Sequence, residues 1–206
     1  MKSLNDLLAG IELLETRGDL SVQVQGIQFD SRKVEAGGLF VAVKGLHADG
    51  HLYIAKAIEL GAACIVCENV PDDFPSNIVL VKIADTQAML GKIASAFYDF
   101  PSSDLKVVGV TGTNGKTTIA SLLYKTFSLL GYQVGLISTI KYYVGDEEFP
   151  ATHTTPDALQ IQEMMAKMVK AGCEYCFMEV SSHAIDQDRI TGIEFDGGIF
   201  TNLTHD

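Results

Sequence analysis

The sequence has no tryptophan and only 5 prolines. No part of it approaches the roughly 20 consecutive apolar residues that a membrane-spanning helix needs. The first residues do not form a secretory signal, because Lys2, Asn5 and Asp6 interrupt the leucines. We therefore expect a soluble, cytoplasmic chain. Its 206 residues, 47% of them apolar, suffice for one large or two small packed domains.

Basic residues are also scarce: 15 Lys and Arg stand against 26 Asp and Glu, for a formal net charge of −11. So acidic a chain is repelled by nucleic acid and by anionic membranes. We expect neither as a partner, and we expect a monomer. An anionic small substrate would need local donors, such as a glycine loop, a helix N-terminus or a single basic side chain.

The 4 cysteines form two C-x-x-C pairs, Cys64/Cys67 and Cys173/Cys176, a spacing also found in zinc sites. Cys64 and Cys67 stand in an apolar run that predicts a buried strand. Side chains three positions apart on a strand point to opposite faces, so this pair cannot easily chelate one ion. We expect buried, reduced thiols rather than a metal site.

Strand and helix patterns alternate along the chain, which predicts an α/β fold with a mostly parallel sheet. The segment Asp99-Phe-Pro-Ser-Ser-Asp104 interrupts the pattern with proline and small polar residues. We expect a small α/β domain over residues 1–99, a linker at 100–104, and an incomplete second α/β domain over residues 105–206.

In the first part, apolar periodicity and glycine stops define the elements. The predicted strands are Val22–Phe29, Leu39–Val43, Cys64–Cys67 and Ile78–Ile83. The predicted helices are His51–Leu60, ended by Gly61, and Thr86–Tyr98.

The second part opens with Lys106–Thr111, a continuous apolar run typical of a central parallel strand. The other predicted strands are Val134–Thr139, Tyr175–Val180 and Gly197–Leu203, with a hairpin over Tyr142–Phe149. The predicted helices are Thr117–Leu130 and Pro156–Ala171, the second with Thr155 as its N-cap.

The strongest chemical signal lies between the strand Lys106–Thr111 and the helix that follows it. Glycines there let backbone N–H groups close around phosphate oxygens, and the helix start favours negative charge. Lys116 adds a positive charge at the β- and γ-phosphates, and the Thr117 hydroxyl is a ligand for Mg²⁺. The predicted ATP-binding residues are Gly112, Thr113, Asn114, Gly115, Lys116, Thr117 and Thr118.

One position departs from the general phosphate-loop pattern, G-x-x-x-x-G-K-[ST]. Val110 stands where that pattern has its first glycine. An ordinary glycine-rich turn between strand and helix is the alternative interpretation. Asn114 either contacts the ligand or only stabilises the turn.

The run Thr111–Thr118, TGTNGKTT, resembles the phosphate loop of the Mur ligase family, which also lacks the first glycine. Asp30–Gly45 and Asp49–Ile54 are similar to the UDP-binding N-terminal domain of this family. His153–Asp157 and Met178–Arg189 are similar to its tripeptide synthetase branch. The resemblance covers nearly the whole chain.

The resemblance implies a ligase reaction in peptidoglycan precursor synthesis. ATP would phosphorylate the γ-carboxylate of D-glutamate in UDP-N-acetylmuramoyl-L-alanyl-D-glutamate. The amine of a diamino acid, either meso-diaminopimelate or L-lysine, would then attack the acyl phosphate, and phosphate would leave. Such chemistry needs charge neutralisation and alignment more than a strong base.

Site residues of the second part follow from the same resemblance. It implies that Lys116 and Glu179 are catalytic groups and that Thr117 and Glu179 are ligands of Mg²⁺. Glu179 also lies near the end of a predicted strand, where α/β sheets bind ligands. The residues implied for the muramoyl-peptide are His153, Thr154, Thr155, Ser181, Gln187 and Arg189. An ion pair with Asp186 or Asp188 is the alternative for Arg189, and the role of His183 stays open.

In the first part, the resemblance implies that Ser31 and the loop His47, Ala48 and Asp49 hold the uridine and its diphosphate. Asp49 is a poor neighbour for a diphosphate, so it faces either the uracil N–H or solvent. The family continues into further segments that are absent here, so we expect a fragment with little turnover. A folylpolyglutamate-type ligase and a nucleotide-binding module without catalysis are the alternatives.

Overall fold

The computed structural model describes residues 2–45 and 48–204. The chain forms two compact units, Met1–Phe97 and Tyr98–Asp206. None of the helices within the described ranges is both long and apolar enough to cross a bilayer. The segment expected to be a linker contains a 3-10 helix, Pro101–Asp104, in which Pro101 and Ser102 are buried. The first unit ends two residues before the predicted boundary.

The first unit is built on a five-stranded sheet with the order β2-β7-β6-β5-β4. Its four strands β4 to β7 are parallel, β2 is antiparallel to β7, and β1 pairs separately with β3. The strands are β1 (Lys2–Ser3), β2 (Glu15–Arg17), β3 (Gln23–Val24), β4 (Ile27–Gln28), β5 (Leu39–Val41), β6 (Cys64–Cys67) and β7 (Val79–Lys82). The helices are α1 (Leu4–Leu7), α2 (Ile54–Glu59), α3 (Thr86–Phe97) and the 3-10 helices Ser31–Lys33 and Gly50–Tyr53.

Two predictions in the first unit need correction. The single strand predicted over Val22–Phe29 is two short strands, β3 and β4, that belong to different sheets. The helix predicted from His51 begins as a 3-10 turn, because the Asp49 carboxylate accepts a hydrogen bond from the His51 N–H and caps that turn. The α-helical part starts only at Ile54.

The second unit contains a six-stranded sheet with the order β11-β10-β9-β12-β8-β13. The strands β9, β12, β8 and β13 are mutually parallel neighbours, and β10 and β11 form an antiparallel hairpin. The strands are β8 (Lys106–Thr111), β9 (Val134–Ile137), β10 (Lys141–Val144), β11 (Glu147–Pro150), β12 (Tyr175–Glu179) and β13 (Gly197–Phe200). The helices are α4 (Lys116–Leu129), α5 (Ala158–Lys170) and α6 (Ser182–Asp186).

The α/β fold with a mostly parallel sheet is thus confirmed. Because four adjacent strands run parallel, their carboxyl ends meet at one edge of the sheet. The residues that follow β8, β9, β12 and β13 therefore converge there, although they are far apart in sequence.

Helix α5 starts two residues later than predicted. Its N-cap is Asp157, whose carboxylate accepts a hydrogen bond of 2.9 Å from the Gln160 N–H. The prediction of Thr155 as the cap is wrong, because a carboxylate closer to the helix takes that role. Thr155 is buried and bonds elsewhere.

All four cysteines are buried free thiols, as expected. Cys67 packs in the apolar cluster around Phe40 and Ile65, and Cys64 faces the other side of β6. Burial raises the pKa of both thiols to about 11. Neutral thiols with so high a pKa are poor metal ligands.

Candidate functional site

The loop between β8 and α4 presents free backbone amides to one small region. Gly112 and Gly115 have φ angles of 131° and 90°, which favour glycine strongly. In the described part of the chain, the N–H groups of Gly115, Lys116, Thr117 and Thr118 have no hydrogen-bond partner. Four aligned donors at the start of a 14-residue helix are an environment for an anion.

Lys116 folds back across this loop. Its Nζ donates hydrogen bonds to the carbonyl oxygens of Gly112, at 2.6 Å, and Thr113, at 3.0 Å. These contacts hold the ammonium group at the loop instead of letting it extend into solvent. The charge therefore lies beside the free amides, where an anion would be bound.

Glu179 lies at the end of β12 and is 0% exposed. Its Oε2 accepts hydrogen bonds from the hydroxyls of Thr117, at 2.9 Å, and Thr139, at 3.1 Å. Its Oε1 accepts the main-chain N–H of Thr139 at 2.8 Å. No Lys or Arg of the described residues forms an ion pair with this carboxylate.

A buried carboxylate without a cationic partner is costly, and the cost falls when a cation binds beside it. Its oxygens and the Thr117 hydroxyl are hard oxygen ligands, which fit Mg²⁺. Within residues 2–45 and 48–204, no group of three or more His, Cys, Asp or Glu could hold a metal. A magnesium ion here would thus take most of its ligands from phosphate oxygens and water, as such ions usually do.

Thr155 links the carboxyl end of β12 to the segment after it. Its hydroxyl donates to the carbonyl oxygen of Glu179 at 2.8 Å and accepts from the Ser181 N–H at 3.1 Å. Ser181 in turn caps α6, with its hydroxyl accepting from the Ala184 N–H. The structure therefore brings Thr155, Ser181 and Glu179 together, as neighbours in one hydrogen-bonded group.

Arg189 joins the same group through its guanidinium. Nη1 donates to the carbonyl oxygen of Thr155 at 2.9 Å, and Nε and Nη2 donate to Oε1 of Gln187 at 3.0 and 2.6 Å. In the described ranges it forms no ion pair with Asp186 or Asp188, so that alternative is wrong. The guanidinium is partly buried and its direction is fixed by neutral acceptors, which leaves its charge available to an anion.

Thr154 lies beside the site, whereas the side chain of His153 points to solvent. The hydroxyl oxygens of Thr154 and Thr139 are 3.1 Å apart, within hydrogen-bond distance, so Thr154 lies beside a residue that bonds Glu179. The main chain of His153 is held by the Tyr142 hydroxyl, and its side chain is exposed. His183 is also exposed, on α6.

In the first unit, Ser31 is buried at the start of the 3-10 helix Ser31–Lys33. Arg32 bonds Asp30 through Nε and Nη2, and these contacts hold the pKa of that carboxyl below its usual value. Ala48 is exposed, and its carbonyl oxygen accepts the Gly45 N–H at 3.0 Å. His47 lies outside the described residues.

Asp49 has a partner that the sequence did not indicate. Its Oδ1 accepts the main-chain N–H of His51 at 3.0 Å and lies 2.6 Å from Nδ1 of that ring. These bonds hold the pKa of Asp49 below its ordinary value. The other ring nitrogen, Nε2, accepts the Glu68 N–H at 2.9 Å. Since Nε2 is an acceptor, the proton of the neutral ring is on Nδ1 and is donated to Asp49.

Sequence reasoning missed three residues that contact the site: Thr139, Thr201 and Asn202. Thr139 bonds Glu179, and Thr201 and Asn202 bond the phosphate loop. Each follows a parallel strand at its carboxyl end. Polar residues at that position of a predicted parallel strand are the signal that could have found them.

Comparison with known proteins gives matches over both units. A family model described as Mur ligase family, catalytic domain, matches residues 23–98. A model described as Mur ligase middle domain matches residues 110–206. Together the two matches cover the candidate site and most of the first unit.

Two curated relatives are named UDP-N-acetylmuramoyl-L-alanyl-D-glutamate–2,6-diaminopimelate ligase. That of Phocaeicola vulgatus is 52% identical over 203 residues, and that of Bacteroides thetaiotaomicron is 50% identical over 203 residues. Each alignment covers 98% of this chain and 42% of the relative. The chain therefore spans less than half the length of these relatives.

A solved structure of an enzyme with the same name superposes on the whole chain. The TM-score is 0.81, the sequence identity is 25%, and the match covers 100% of this chain and 41% of that one. The arrangement of strands and helices around the site is thus shared with a known ligase structure.

Proposed function

Because the chain belongs to the Mur ligase family, we propose that it is the UDP-substrate-binding and ATP-binding part of a peptidoglycan precursor ligase. The whole protein would join 2,6-diaminopimelate to UDP-N-acetylmuramoyl-L-alanyl-D-glutamate, consuming ATP. The diamino acid is taken from the names of the relatives, which are about half identical to this chain.

One observation carries the proposal. The buried Glu179 carboxylate meets the Thr117 hydroxyl at 2.9 Å, at the first turn of the helix that offers free amides. The site proposed for a nucleotide phosphate is therefore adjacent to the site proposed for its cation. Adjacent phosphate and cation sites are what phosphoryl transfer from ATP requires.

The residues of the phosphate loop would bind and orient ATP. The amides of Gly115 to Thr118 would hold the phosphates, and Lys116 would place its charge against the β- and γ-phosphates. Thr117 and Glu179 would hold Mg²⁺, which supplies charge neutralisation when bound. Thr139 would keep the Glu179 carboxylate in its orientation. No protein base is needed, because the attacking carboxylate of the substrate is already ionised.

The neighbouring group would hold the acceptor substrate. Arg189 is suited to a carboxylate through paired hydrogen bonds, and Gln187 fixes the plane of its guanidinium. The other proposed contacts with the muramoyl-peptide are His153, Thr154, Thr155 and Ser181. In the first unit, Ser31 and the loop His47 to Asp49 would bind the uridine diphosphate, with Asp49 shaping the loop through His51.

We further propose that the protein works as a cytoplasmic monomer without a membrane partner. Residues 1–206 alone would bind both substrates with little turnover, since the chain spans 42% of its relatives. Full tripeptide formation by these residues would contradict that part of the proposal.

Titration calorimetry with UDP-N-acetylmuramoyl-L-alanyl-D-glutamate tests the proposal. We expect saturable binding, and we expect Arg189→Ala to weaken it about tenfold or more, because a charge-assisted contact would be lost. Lys170→Ala, in the last turn of α5, is the control and should bind as the unsubstituted chain does. ATP binding without any binding of the UDP substrate would instead indicate a generic nucleotide-binding module and would refute the ligase assignment.

A further inference from the structure

We propose that Asn202 is a positioning residue for the phosphate loop: its side-chain amide fixes the Asn114 peptide in the orientation that binds nucleotide. The inference rests on the proposed function, because that function makes the loop a nucleotide site. Asn202 lies two residues after β13 and 88 positions from Asn114. The sheet brings them together because β13 is the parallel neighbour of β8.

The carboxamide of Asn202 pairs with both polar atoms at one loop residue. Its Oδ1 accepts the Asn114 N–H at 3.1 Å, and its Nδ2 donates to the Asn114 carbonyl oxygen at 3.1 Å. The main-chain oxygen of Asn202 also accepts the Thr113 N–H at 2.9 Å. Only a side chain with a donor and an acceptor on one planar group can make the paired contact, which excludes aspartate and alanine.

Thr201 strengthens this attachment from the preceding position. Its hydroxyl donates to the Asn114 carbonyl oxygen at 2.6 Å, and its N–H bonds the Thr111 carbonyl oxygen at 2.9 Å. The approach is so close that a Cβ on Gly112 would lie 2.2 Å from the Thr201 hydroxyl oxygen. Glycine at 112 is therefore required by this contact as well as by its φ angle.

The contacts divide the loop amides into two sets. The N–H groups of Thr113 and Asn114 are used by Asn202, while those of Gly115 to Thr118 remain without partners in the described part of the chain. The first set holds the loop in shape, and the second set is left for the anion. If the loop is already ordered before the ligand binds, no conformational entropy of the loop is lost on binding. The affinity for the ligand is then higher, although no contact with the ligand has been added.

The test compares Asn202→Ala with Leu203→Ala in the 206-residue chain. Leu203 is the next residue and is 83% exposed, so its truncation is a matched control. We expect ATP–Mg²⁺ to bind Asn202→Ala about tenfold more weakly, from the loss of two hydrogen bonds that order the loop. The affinity of Leu203→Ala for ATP should be within about twofold of that of the unsubstituted chain. Such a change is smaller than the one expected from the loss of a single hydrogen bond. The affinity for the UDP substrate should not change in either variant.

Hydrogen exchange and a second pair of variants separate positioning from general instability. The amide protons of Thr113 and Asn114 should exchange faster in Asn202→Ala, while those of the β12 strand stay protected. Should Asn202→Ala fail to fold, Thr201→Val removes one hydroxyl at constant shape and should weaken ATP binding, and Thr201→Ser should restore it. Unchanged ATP affinity in both Asn202→Ala and Thr201→Val would overturn this inference alone. No ATP binding by the unsubstituted chain would overturn the proposed function and this inference with it.

Discussion

The Thr117 hydroxyl donates a hydrogen bond of 2.9 Å to Oε2 of Glu179, across a sequence separation of 62 residues. Thr117 is the second residue of α4, and Glu179 is the last residue of β12, the parallel neighbour of β8. In the proposed function, this pair joins the site of a nucleotide phosphate to the site of its cation.

Replacing Glu179 by glutamine should abolish most of the Mg²⁺ dependence of nucleotide binding. The amide has nearly the same shape but no charge, so it cannot offset the charge of a cation. Titrations of ATP with and without Mg²⁺ measure how much the ion increases the affinity for ATP. We expect this increase to be smaller in Glu179→Gln by about tenfold or more. Glu174→Gln, an exposed site just before the same strand, is the control. A Mg²⁺ effect that survives in Glu179→Gln would contradict this role.

Thr139→Val should weaken Mg²⁺-dependent ATP binding several-fold, while Thr139→Ser should bind nearly as the unsubstituted chain does. Valine loses the hydroxyl that bonds Glu179 at 3.1 Å and Thr154 at 3.1 Å, but it keeps the main-chain bond. The lost bond acts on ATP only through the orientation of Glu179, so the effect should be smaller than about 1.5–3 kcal/mol, which is what one hydrogen bond to a charged group is worth. Equal affinities for the two variants would show that the hydroxyl is not needed.

Gly112→Ala should lower the free energy of unfolding of the second unit by about 2–4 kcal/mol, from backbone strain and a steric clash together. The new Cβ would meet the Thr201 hydroxyl oxygen at 2.2 Å. Gly131→Ala is the matched control, because Gly131 also has positive φ but no atom within 4 Å of a Cβ. Chemical denaturation of the two variants measures the difference, and a loss at Gly112 no larger than at Gly131 would argue against the close contact.

The buried cysteines should resist alkylation in the folded chain at pH 8. Burial raises the pKa of Cys64 and Cys67 to about 11 from 9.0, so very little thiolate is present. The folded state disfavours the thiolate, whereas the thiols of the unfolded chain ionise above about pH 9. The free energy of unfolding therefore falls as the pH rises from about 9 towards 11. Iodoacetamide labelling followed by mass spectrometry checks this, with the urea-unfolded chain as the reference. Fast labelling of the folded chain would contradict it.

Long, continuous patterns were predictable from the sequence. Strand β8 has the bounds expected for it, because an apolar run buried between two neighbours admits few alternatives. The hairpin of β10 and β11 was also found, since Gly145 and Asp146 mark its turn. Short elements were not found: β1 and α1 have 2 and 4 residues, too few to show a period.

Several residues named from the loop pattern and the family resemblance, among them Thr117, Thr155 and Glu179, lie near one another in the second unit, yet their contacts were not predictable. Thr155 was expected to cap a helix, and it instead bonds Glu179 and Ser181, because Asp157 competes successfully for the cap. Asn202 and Thr139 act through bonds to residues 88 and 40 positions away. Such contacts depend on the order of the strands in the sheet, and local sequence patterns do not determine this order.

Titration of ATP–Mg²⁺ into the unsubstituted chain and into Lys116→Ala tests whether the loop before α4 binds nucleotide. Lys125→Ala, an exposed lysine on the same helix, is the control for the loss of one positive charge. We expect Lys116→Ala to weaken ATP binding at least about tenfold and Lys125→Ala to leave it nearly unchanged. Equal affinity of Lys116→Ala and the unsubstituted chain would contradict the assignment of this loop to nucleotide binding.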